Sequence, residues 1–422
     1  MIYYKLIRTK LTSEVWKLRF IADFHIHSRY SRATSKDMNL EGLSKWAKIK
    51  GISLLGTGDF THPLWFQELK ENLKEENYGI YSYNHTYFIL TSEISFIYSQ
   101  NKKLRRIHLI IFAPSLEIAF KINKILGKFS DLSVDGRPTI GKSMLEVLPL
   151  LWEISEDIHI IPAHAWTPWF SLFGSNSGFD SIEEAFGEYT DKIFAIETGL
   201  SSDPPMNWRL SFLDKISLIS NSDAHSPSKI GREANMFDCD MNYKEIFDAI
   251  KSQDKNRFLF TIEFFPEEGK YHYDGHRNCN ISLHPKESIK LKNICPVCKK
   301  TLTIGVLHRI EILADREEGF TPPNRIPYVN LVPLEEIIAQ AINKDPSSPY
   351  VQKEYMRLIE NLGDELSILL YRDISDIAKV SERVAMGIKL MRDKKISIKP
   401  GYDGVYGKIE IFNNEERQIS LF

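Results

Sequence analysis

Apolar runs that each end in a histidine or an acidic residue recur along the first half of this 422-residue chain. The first run leads into His25 and His27, and others lead into Glu93, His164 and Asp223. Such runs are typical of buried β-strands, and helical patterns separate them, among them those from Asn39 to Gly51 and from Tyr243 to Ser252. Because the carboxyl ends of barrel strands converge on one site, the alternation predicts an α/β barrel with a parallel sheet. An open doubly wound sheet fits less well, since the sequence has no glycine-rich nucleotide-binding fingerprint.

The residues at the ends of these runs are imidazoles and carboxylates, which are common metal ligands. His25 and His27 alternate onto one face of their strand and, beside Asp23, form half of a metal shell. Alone they could equally be solvated histidines. The chain has only 12 histidines, however, and most of them end such a run, which favours a metal site. The expected ligands are His25, His27, Asp59, His62, Glu93, His108, His164, Asp223 and His225.

This donor set predicts hydrolytic chemistry. Nitrogen and oxygen ligands in this number can hold two or three divalent ions such as Zn, Mn, Fe or Mg. We expect Glu93 to bridge a pair of ions at about 3.5–4 Å, a spacing that suits in-line attack on a phosphodiester. The expected catalytic residues are Asp223 and Glu197, the latter as an outer ligand or as a base that orients the attacking water.

The ligand pattern resembles that of the polymerase and histidinol phosphatase (PHP) family. The resemblance implies a distorted (β/α)7-type barrel that binds up to three metals for phosphoester hydrolysis. One departure is visible, because many family members have Thr-Asp-His where this chain has Thr57-Gly58-Asp59. We therefore expect Asp59 to fill the place of that histidine, with His62 as a reserve ligand.

A cluster of cysteines follows the predicted barrel. Three of the four cysteines in the chain fall within 20 positions, and such clustering indicates zinc rather than disulfides. The predicted structural zinc ligands are His276, Cys279, Cys295 and Cys298. The fourth ligand stays open, since His272 or His284 could replace His276. Eight basic residues lie between positions 270 and 310, and they form either a phosphate-binding face or a merely solvated one.

Two further segments carry candidate contacts. The connection 166–174 is unusually aromatic, and it is either a packed lid or a stacking surface for a base through Trp166, Trp169 and Phe170. The chain ends in a polar tether with apolar anchors at its tip. This tail resembles the pentapeptide by which bacterial replication and repair proteins bind the sliding clamp. The expected clamp contacts are Gln418, Leu421 and Phe422, and a frayed terminus is the alternative.

The hydropathy pattern and the net charge narrow the possible classes of protein further. No apolar run approaches the ~18 residues needed to cross a bilayer, and the start lacks the layout of a signal peptide. We therefore expect a cytoplasmic protein without a membrane partner. The formal net charge of −2 does not by itself indicate nucleic-acid binding.

Taken together, these parts resemble the endonuclease Q family over essentially the whole chain. The resemblance rests also on the segments 56–63, 295–298 and 400–404. It implies a prokaryotic, DNA-associated repair nuclease that nicks damaged DNA 5′ to deaminated bases (hypoxanthine, uracil, xanthine) or abasic sites. The expected domains are a PHP phosphoesterase barrel over 1–267, a zinc-binding module over 268–325, a helical DNA-binding region over 326–399 and a C-terminal segment over 400–422.

Two other functions remain open. A small-molecule phosphoesterase on the same barrel would leave the zinc module and the tail unexplained. A clamp-tethered DNA-binding module with an inactive barrel is disfavoured by the full ligand set, because unused clusters of buried charge are costly to keep.

Overall fold

The computed structural model describes residues 19–412 and has a mixed α/β fold. The β-strands are β1 (Arg19–Asp23), β2 (Leu54–Gly56), β3 (Lys74–Asn77), β4 (Ile80–Tyr83), β5 (Thr86–Gln100), β6 (Lys103–Ala113), β7 (Thr139–Ile140), β8 (His159–Pro162), β9 (Ala195–Glu197), β10 (Ser217–Ile219), β11 (Ala234–Asp238), β12 (Phe258–Glu263), β13 (Asp274–His276), β14 (Ile281–Leu283), β15 (Tyr328–Asn330), β16 (Ser397–Lys399) and β17 (Lys408–Glu410). The α-helices are α1 (Leu40–Lys50), α2 (Pro63–Asn72), α3 (Leu116–Leu126), α4 (Met144–Trp152), α5 (Ile182–Phe186), α6 (Pro204–Asn207), α7 (Tyr243–Ser252), α8 (Pro285–Lys290), α9 (Val306–Leu313), α10 (Leu334–Ile342), α11 (Pro349–Leu362), α12 (Glu365–Leu370), α13 (Ile374–Val380) and α14 (Glu382–Arg392).

The main sheet has eleven strands and is mixed rather than parallel. β2 pairs in parallel with both β1 and β5, as the alternation of strands and helices predicts. In contrast, β11 pairs antiparallel with β1 and β12, and β6 pairs antiparallel with β5 and β8. β9 and β10 form a separate parallel pair. The prediction of a parallel sheet is therefore correct for part of the sheet and wrong for the rest.

A long hairpin explains part of this difference. Residues 90–100 of β5 pair with the whole of β6, and the two strands are joined by Asn101 and Lys102, whose φ angles are 52° and 61°. Two successive left-handed residues make a type I′ turn, whose twist matches that of the flanking antiparallel strands. The hairpin places Glu93 and His108 on neighbouring strands of the sheet.

Local sequence signals fix the predicted helix after the His-x-His strand. Asn39 caps α1, because its side chain accepts a hydrogen bond from the N–H of Gly42, and Gly51 ends the helix with a φ of 85°. Leu40, Leu43 and Ala47 are buried on one face of the helix. The predicted helix between Asn39 and Gly51 is confirmed.

The strands share a continuous apolar core. One buried cluster combines side chains from β1, β2, β5, β6, β8 and β9 to β12, together with the inner face of α7. The separate β9–β10 pair therefore packs with the main sheet rather than apart from it. A larger cluster contains the outer helices and the C-terminal helices.

The C-terminal half attaches to the main sheet through β15. β15 pairs in parallel with β12, although it lies within the predicted helical region that starts at residue 326. Residues 349–392 of that predicted region form four helices, and the first of them ends at Gly363, whose φ is 103°. The N–H of Tyr273 donates to the carbonyl oxygen of Gly401 at 2.9 Å, so the segment after β16 packs on the cysteine-rich module.

Among residues 19–412, no helix is both long enough and apolar enough to span a membrane. The predicted clamp contacts Gln418, Leu421 and Phe422 lie outside the described residues.

Candidate metal centre

The first group of candidate metal ligands lies just beyond the end of β1. One ligand atom each from His25, His27, Glu93 and Asp223 lies within 4.8 Å of the others. The N–H of His27 donates to the carbonyl oxygen of Ala224 at 3.0 Å, which joins this segment to the turn that contains Asp223. Asp223 has a φ of 49°, a left-handed conformation that is strained in a non-glycine residue and common at functional sites.

Glu93 also belongs to a second group, with His108 and His164. Its Oε1 lies 2.7 Å from His108 Nδ1 and 3.1 Å from His164 Nε2. Its Oε2 faces the first group and lies 3.3 Å from His27 Nε2. Because each oxygen faces one group, the geometry fits the predicted bridging role of Glu93.

The donor atoms of the first group fit a divalent cation. Within the described part of the chain, His25 Nε2, His27 Nε2 and Asp223 Oδ1 are buried atoms without a hydrogen-bond partner. His27 Nε2 and Asp223 Oδ1 are 3.0 Å apart but do not meet in hydrogen-bonding geometry. Buried polar atoms normally have partners, so these three indicate donors that converge on a ligand.

The pKa values of the ligand residues also indicate a cation site. Burial alone would raise the pKa of Glu93, but the surrounding imidazoles hold this pKa well below its ordinary value. Burial alone would lower the pKa values of His25 and His27, but Glu197 and Asp59, respectively, help to hold them well above the ordinary value. Protons held on such imidazoles mark positions at which a cation can replace them.

Two predicted site residues lie behind the histidines. Glu197 Oε2 lies 3.0 Å from His25 Nδ1, and the same oxygen accepts the N–H of His164 at 2.7 Å. Asp59 Oδ1 lies 3.0 Å from His27 Nδ1, and its other oxygen accepts from the N–H of Ser28 at 2.6 Å. Carboxylates that hold the far nitrogen of a ligating histidine fix its orientation and tautomer.

This arrangement differs from the expectation that Asp59 and His62 are ligands. The structure does not bring either side chain into the two groups, since the oxygens of Asp59 are already used as described above. His62 Nε2 lies 3.1 Å from the carbonyl oxygen of Ser133, and its ring stacks on Tyr30. His225 lies outside the groups but close by, with its ring centroid 4.5 Å from that of His27.

Sequence reasoning missed Arg137. One of its terminal guanidinium nitrogens lies 3.0 Å from Glu93 Oε2, and the side chain is 29% exposed. It reaches the centre from the loop just before β7, not from the carboxyl end of a strand. A single arginine in a polar loop has no distinguishing pattern, so the sequence offered no signal for it.

The cysteine-rich module forms a separate cluster. Ligand atoms of His276, Cys279, Cys295 and Cys298 lie within 4.8 Å of one another. The two alternatives for the fourth ligand lie elsewhere: His272 is buried outside this cluster, and His284 caps the start of α8. Three cysteines and one histidine match the donor set of a closed structural zinc site.

Only part of the aromatic connection 166–174 is exposed to solvent. Trp166 is 1% exposed and donates its indole N–H to Asn207 Oδ1 at 2.7 Å. It is a core residue, so it has no free face on which a base could stack, and the expectation for this residue is wrong. Trp169 is 45% exposed, while the Phe170 ring packs 4.8 Å from the His108 ring.

Known proteins match either part of this chain or nearly all of it. The family model of the MJ0043 C-terminal domain matches residues 333–395. The uncharacterized protein MJ0043 of Methanocaldococcus jannaschii is 35% identical over 254 residues, which cover 58% of this chain and 31% of that protein. This chain thus matches less than a third of the length of that relative. The uncharacterized protein YqxK of Bacillus subtilis is 29% identical over 409 residues, which cover 93% of this chain and 99% of that protein.

Two solved structures match over almost the full length. The lesion-specific endonuclease PfuEndoQ from Pyrococcus furiosus is 34% identical with a TM-score of 0.83, over 93% of this chain and 95% of that chain. An endonuclease Q in complex with a 27-mer duplex substrate, with an abasic lesion at its active site, is 35% identical with a TM-score of 0.83. That match covers 95% of this chain and 98% of the other. This chain belongs to the endonuclease Q family.

Proposed function

We propose that this chain is a lesion-specific DNA repair endonuclease that hydrolyses the phosphodiester 5′ to deaminated bases or abasic sites. The observation on which the proposal rests is the match, over 95% of the chain, to an endonuclease Q that holds a duplex with an abasic lesion. The two adjoining ligand groups that share Glu93 support it, because such a centre suits phosphodiester hydrolysis.

The proposal includes the barrel and the zinc module. Side chains of the β9–β10 pair share one core with the strands of the main sheet, as expected when a sheet closes into a distorted PHP-type barrel. Domain limits near 267, 325 and 399 remain part of the proposal. Zinc is the metal we assign to the cluster around Cys295, because its donors are soft thiolates and one imidazole.

In the catalytic centre, His25, His27, Glu93 and Asp223 would hold one divalent ion, and Glu93 with His108 and His164 a second. Such ions, as Zn, Mn, Fe or Mg, supply a lowered pKa for the attacking water and charge stabilisation at the leaving oxygen. Other residues of the chain hold these ligand side chains in place.

Two carboxylates fix the orientation of the ligand histidines. Glu197 and Asp59 hold His25 and His27 by their Nδ1 atoms, which leaves both Nε2 atoms directed at the other donors. Burial and this fixed orientation reduce the reorganisation that the reaction requires. In this proposal Glu197 acts by positioning His25, and Asp223 acts directly at the centre.

The cysteine-rich module offers a surface for the DNA backbone. Lys290, Lys292, Lys299 and Lys300 are exposed on it, and clustered lysines bind phosphates largely without regard to sequence. The exposed Trp169, whose ring lies 5.9 Å from that of Tyr271, is a candidate for stacking against a displaced base. Binding to a sliding clamp through the tail remains a prediction from the sequence.

A nicking assay tests the function. End-labelled duplexes with one hypoxanthine, uracil or abasic site are incubated with the full-length protein and Mn, Mg or Zn. We expect one nick immediately 5′ to the lesion and no nick in an undamaged duplex. Asp223→Asn should abolish the nick, because it removes the anionic donor and leaves the side-chain volume unchanged.

The control for this variant is Asp240→Asn, since Asp240 is an exposed aspartate two residues after the end of β11. It should nick at the wild-type rate. Turnover of a generic phosphate ester without cleavage of any damaged duplex would contradict the proposal and favour a small-molecule phosphoesterase.

A further inference from the structure

The cationic side chain of Arg137 reaches the candidate metal centre from a fixed loop. The loop spans residues 131–138. The carbonyl oxygen of Gly136 accepts from the Thr61 hydroxyl at 3.0 Å, and its N–H donates to the carbonyl oxygen of Tyr30 at 3.0 Å. The carbonyl oxygen of Ser133 lies 3.1 Å from His62 Nε2.

Close packing fixes the loop further. A Cβ atom added to Gly136 would lie 2.4 Å from Asp59 Oδ2, so the backbone approaches the carboxylate that orients His27 as closely as glycine allows. Arg137 follows directly, and its own N–H donates to Asp135 Oδ1 at 3.1 Å. The guanidinium therefore starts from a rigid base beside the centre.

The position of the guanidinium is unusual for a purely structural ion pair. It contacts the very oxygen of Glu93 that faces the first ligand group, and 29% of its side chain is exposed to solvent. Cations at the two groups would use the oxygens of Glu93 as ligands. The planar guanidinium, still held by its loop, would then face an anion that enters from solvent, and its paired N–H groups match a phosphate.

We propose that Arg137 binds the phosphodiester that is cleaved, and that the 131–138 loop with His62 and Thr61 positions it. This inference rests on the proposed function and names a substrate contact within the same centre. It also gives His62 a role that does not require metal binding, as an anchor of the loop that presents Arg137.

The test measures coupling between Arg137 and one phosphate. Full-length wild type and Arg137→Gln are loaded with Ca²⁺, and gels verify that the DNA stays uncut. Each protein binds two fluorescent duplexes with an abasic analogue, one natural and one with a neutral methylphosphonate immediately 5′ to the lesion. Dissociation constants are measured by anisotropy over a series of salt concentrations.

We expect the methylphosphonate to weaken wild-type binding by about 10-fold, as for one lost charge-assisted contact. Arg137→Gln should bind the natural duplex about equally weakly and should lose little more with the methylphosphonate. Its slope of log Kd against log salt should fall by about 0.9, the value for one phosphate contact. Arg137→Lys should keep the slope, since it keeps the charge.

Arg257→Gln is the matched control, because Arg257 is also 29% exposed and paired with a glutamate, but at the start of β12. It should keep the wild-type affinity and coupling. Metal content after reconstitution is measured in parallel. Suppose that the wild type nicks damaged DNA, and that Arg137→Gln keeps the wild-type salt slope and the full sensitivity to methylphosphonate but differs in metal content. This result would overturn the role of Arg137 alone. A wild type that neither binds nor nicks the duplexes would overturn the proposed function and this inference together.

Discussion

Glu233 and Glu263 form a buried carboxyl pair. Ala234 on β11 pairs with Ile262 on the antiparallel β12, so the two glutamates lie opposite each other at the strand ends. Both are fully buried, and one oxygen of each has no hydrogen-bond partner within residues 19–412. Burial raises the pKa of both carboxyls, that of Glu263 to about 8. At neutral pH this pair therefore holds at least one proton.

This pair gives a pH prediction. Between the ordinary pKa of 4.5 and the raised pKa of about 8, the folded protein holds a proton on Glu263 that the unfolded chain releases. The contribution of Glu263 to stability is therefore present at low pH and is lost as the pH rises through this window. Glu263→Gln removes the titration and keeps an acceptor for Thr198. We expect its melting temperature, relative to wild type, to increase from pH 5 to pH 9 by at least about 2 °C.

Thermal unfolding of both proteins, followed by circular dichroism at each pH, measures the difference. The exposed Glu153→Gln is the control, and its difference from wild type should stay constant with pH. A Glu263→Gln difference that is equally flat would mean that this carboxyl is ionised throughout.

Residues at strand ends were accessible to sequence reasoning, but the direction of their side chains was not. The pattern predicted His25, His27, Glu93 and Asp223, which the structure brings together. It could not tell that Asp59 contacts His27 at Nδ1, the ring nitrogen that faces away from the ligand group, because spacing along the chain does not distinguish a ligand from the group that orients it.

At the scale of elements, capped helices were predictable and the long hairpin was not. α7 follows its predicted bounds, Tyr243 to Ser252, because Asn242 caps it and one face is apolar. The strands β5 and β6 look like any pair of apolar runs. Their antiparallel pairing depends on the left-handed turn at Asn101 and Lys102, which lacks the glycine that usually marks such a turn.

The cysteine-rich module gives a prediction at this scale. Its strands β13 and β14 have only three residues each, so we expect the module to depend on its metal for order. Cys298→Ser should lower bound zinc by one equivalent and increase proteolysis within 268–325, as measured by elemental analysis and mass spectrometry. Cys239→Ala is the control, because Cys239 is buried in the core of the main sheet and lies outside the cluster. Full zinc content in Cys298→Ser would exclude the cluster as the zinc site.

At the scale of the whole molecule, sequence reasoning separated parts that the structure joins. β15 extends the main sheet from within the predicted helical region, since its apolar Val329 adds to the edge beside β12. Pairing between strands so distant in sequence depends on packing that no local pattern reports. The helical region is therefore attached through backbone hydrogen bonds as well as through side chains.

A buried ion pair also attaches this region. Lys50 at the end of α1 lies 2.6 Å from Glu365 Oε2, and their side chains are 8% and 5% exposed. Glu365 also accepts from the N–H of Leu334 at 3.1 Å and from the hydroxyl of Tyr355. Burial alone would raise the pKa of Glu365, but Lys50 and these donors hold it below its ordinary value.

Removal of Glu365 tests this attachment. Glu365→Ala leaves the Lys50 ammonium buried without a counter-charge and two donors without an acceptor, so we expect a loss of about 3–5 kcal/mol in the free energy of unfolding. Lys379→Ala, which breaks an exposed pair with Asp376, should change this free energy far less, because water screens an exposed pair. Urea denaturation measures both. The double variant Lys50→Met with Glu365→Met should recover part of the loss, because a buried charge without a partner costs more than an apolar pair of similar volume. If the double variant is less stable than Glu365→Ala, the hydrogen bonds to Leu334 and Tyr355, rather than the ion pair, hold the helical region on the sheet.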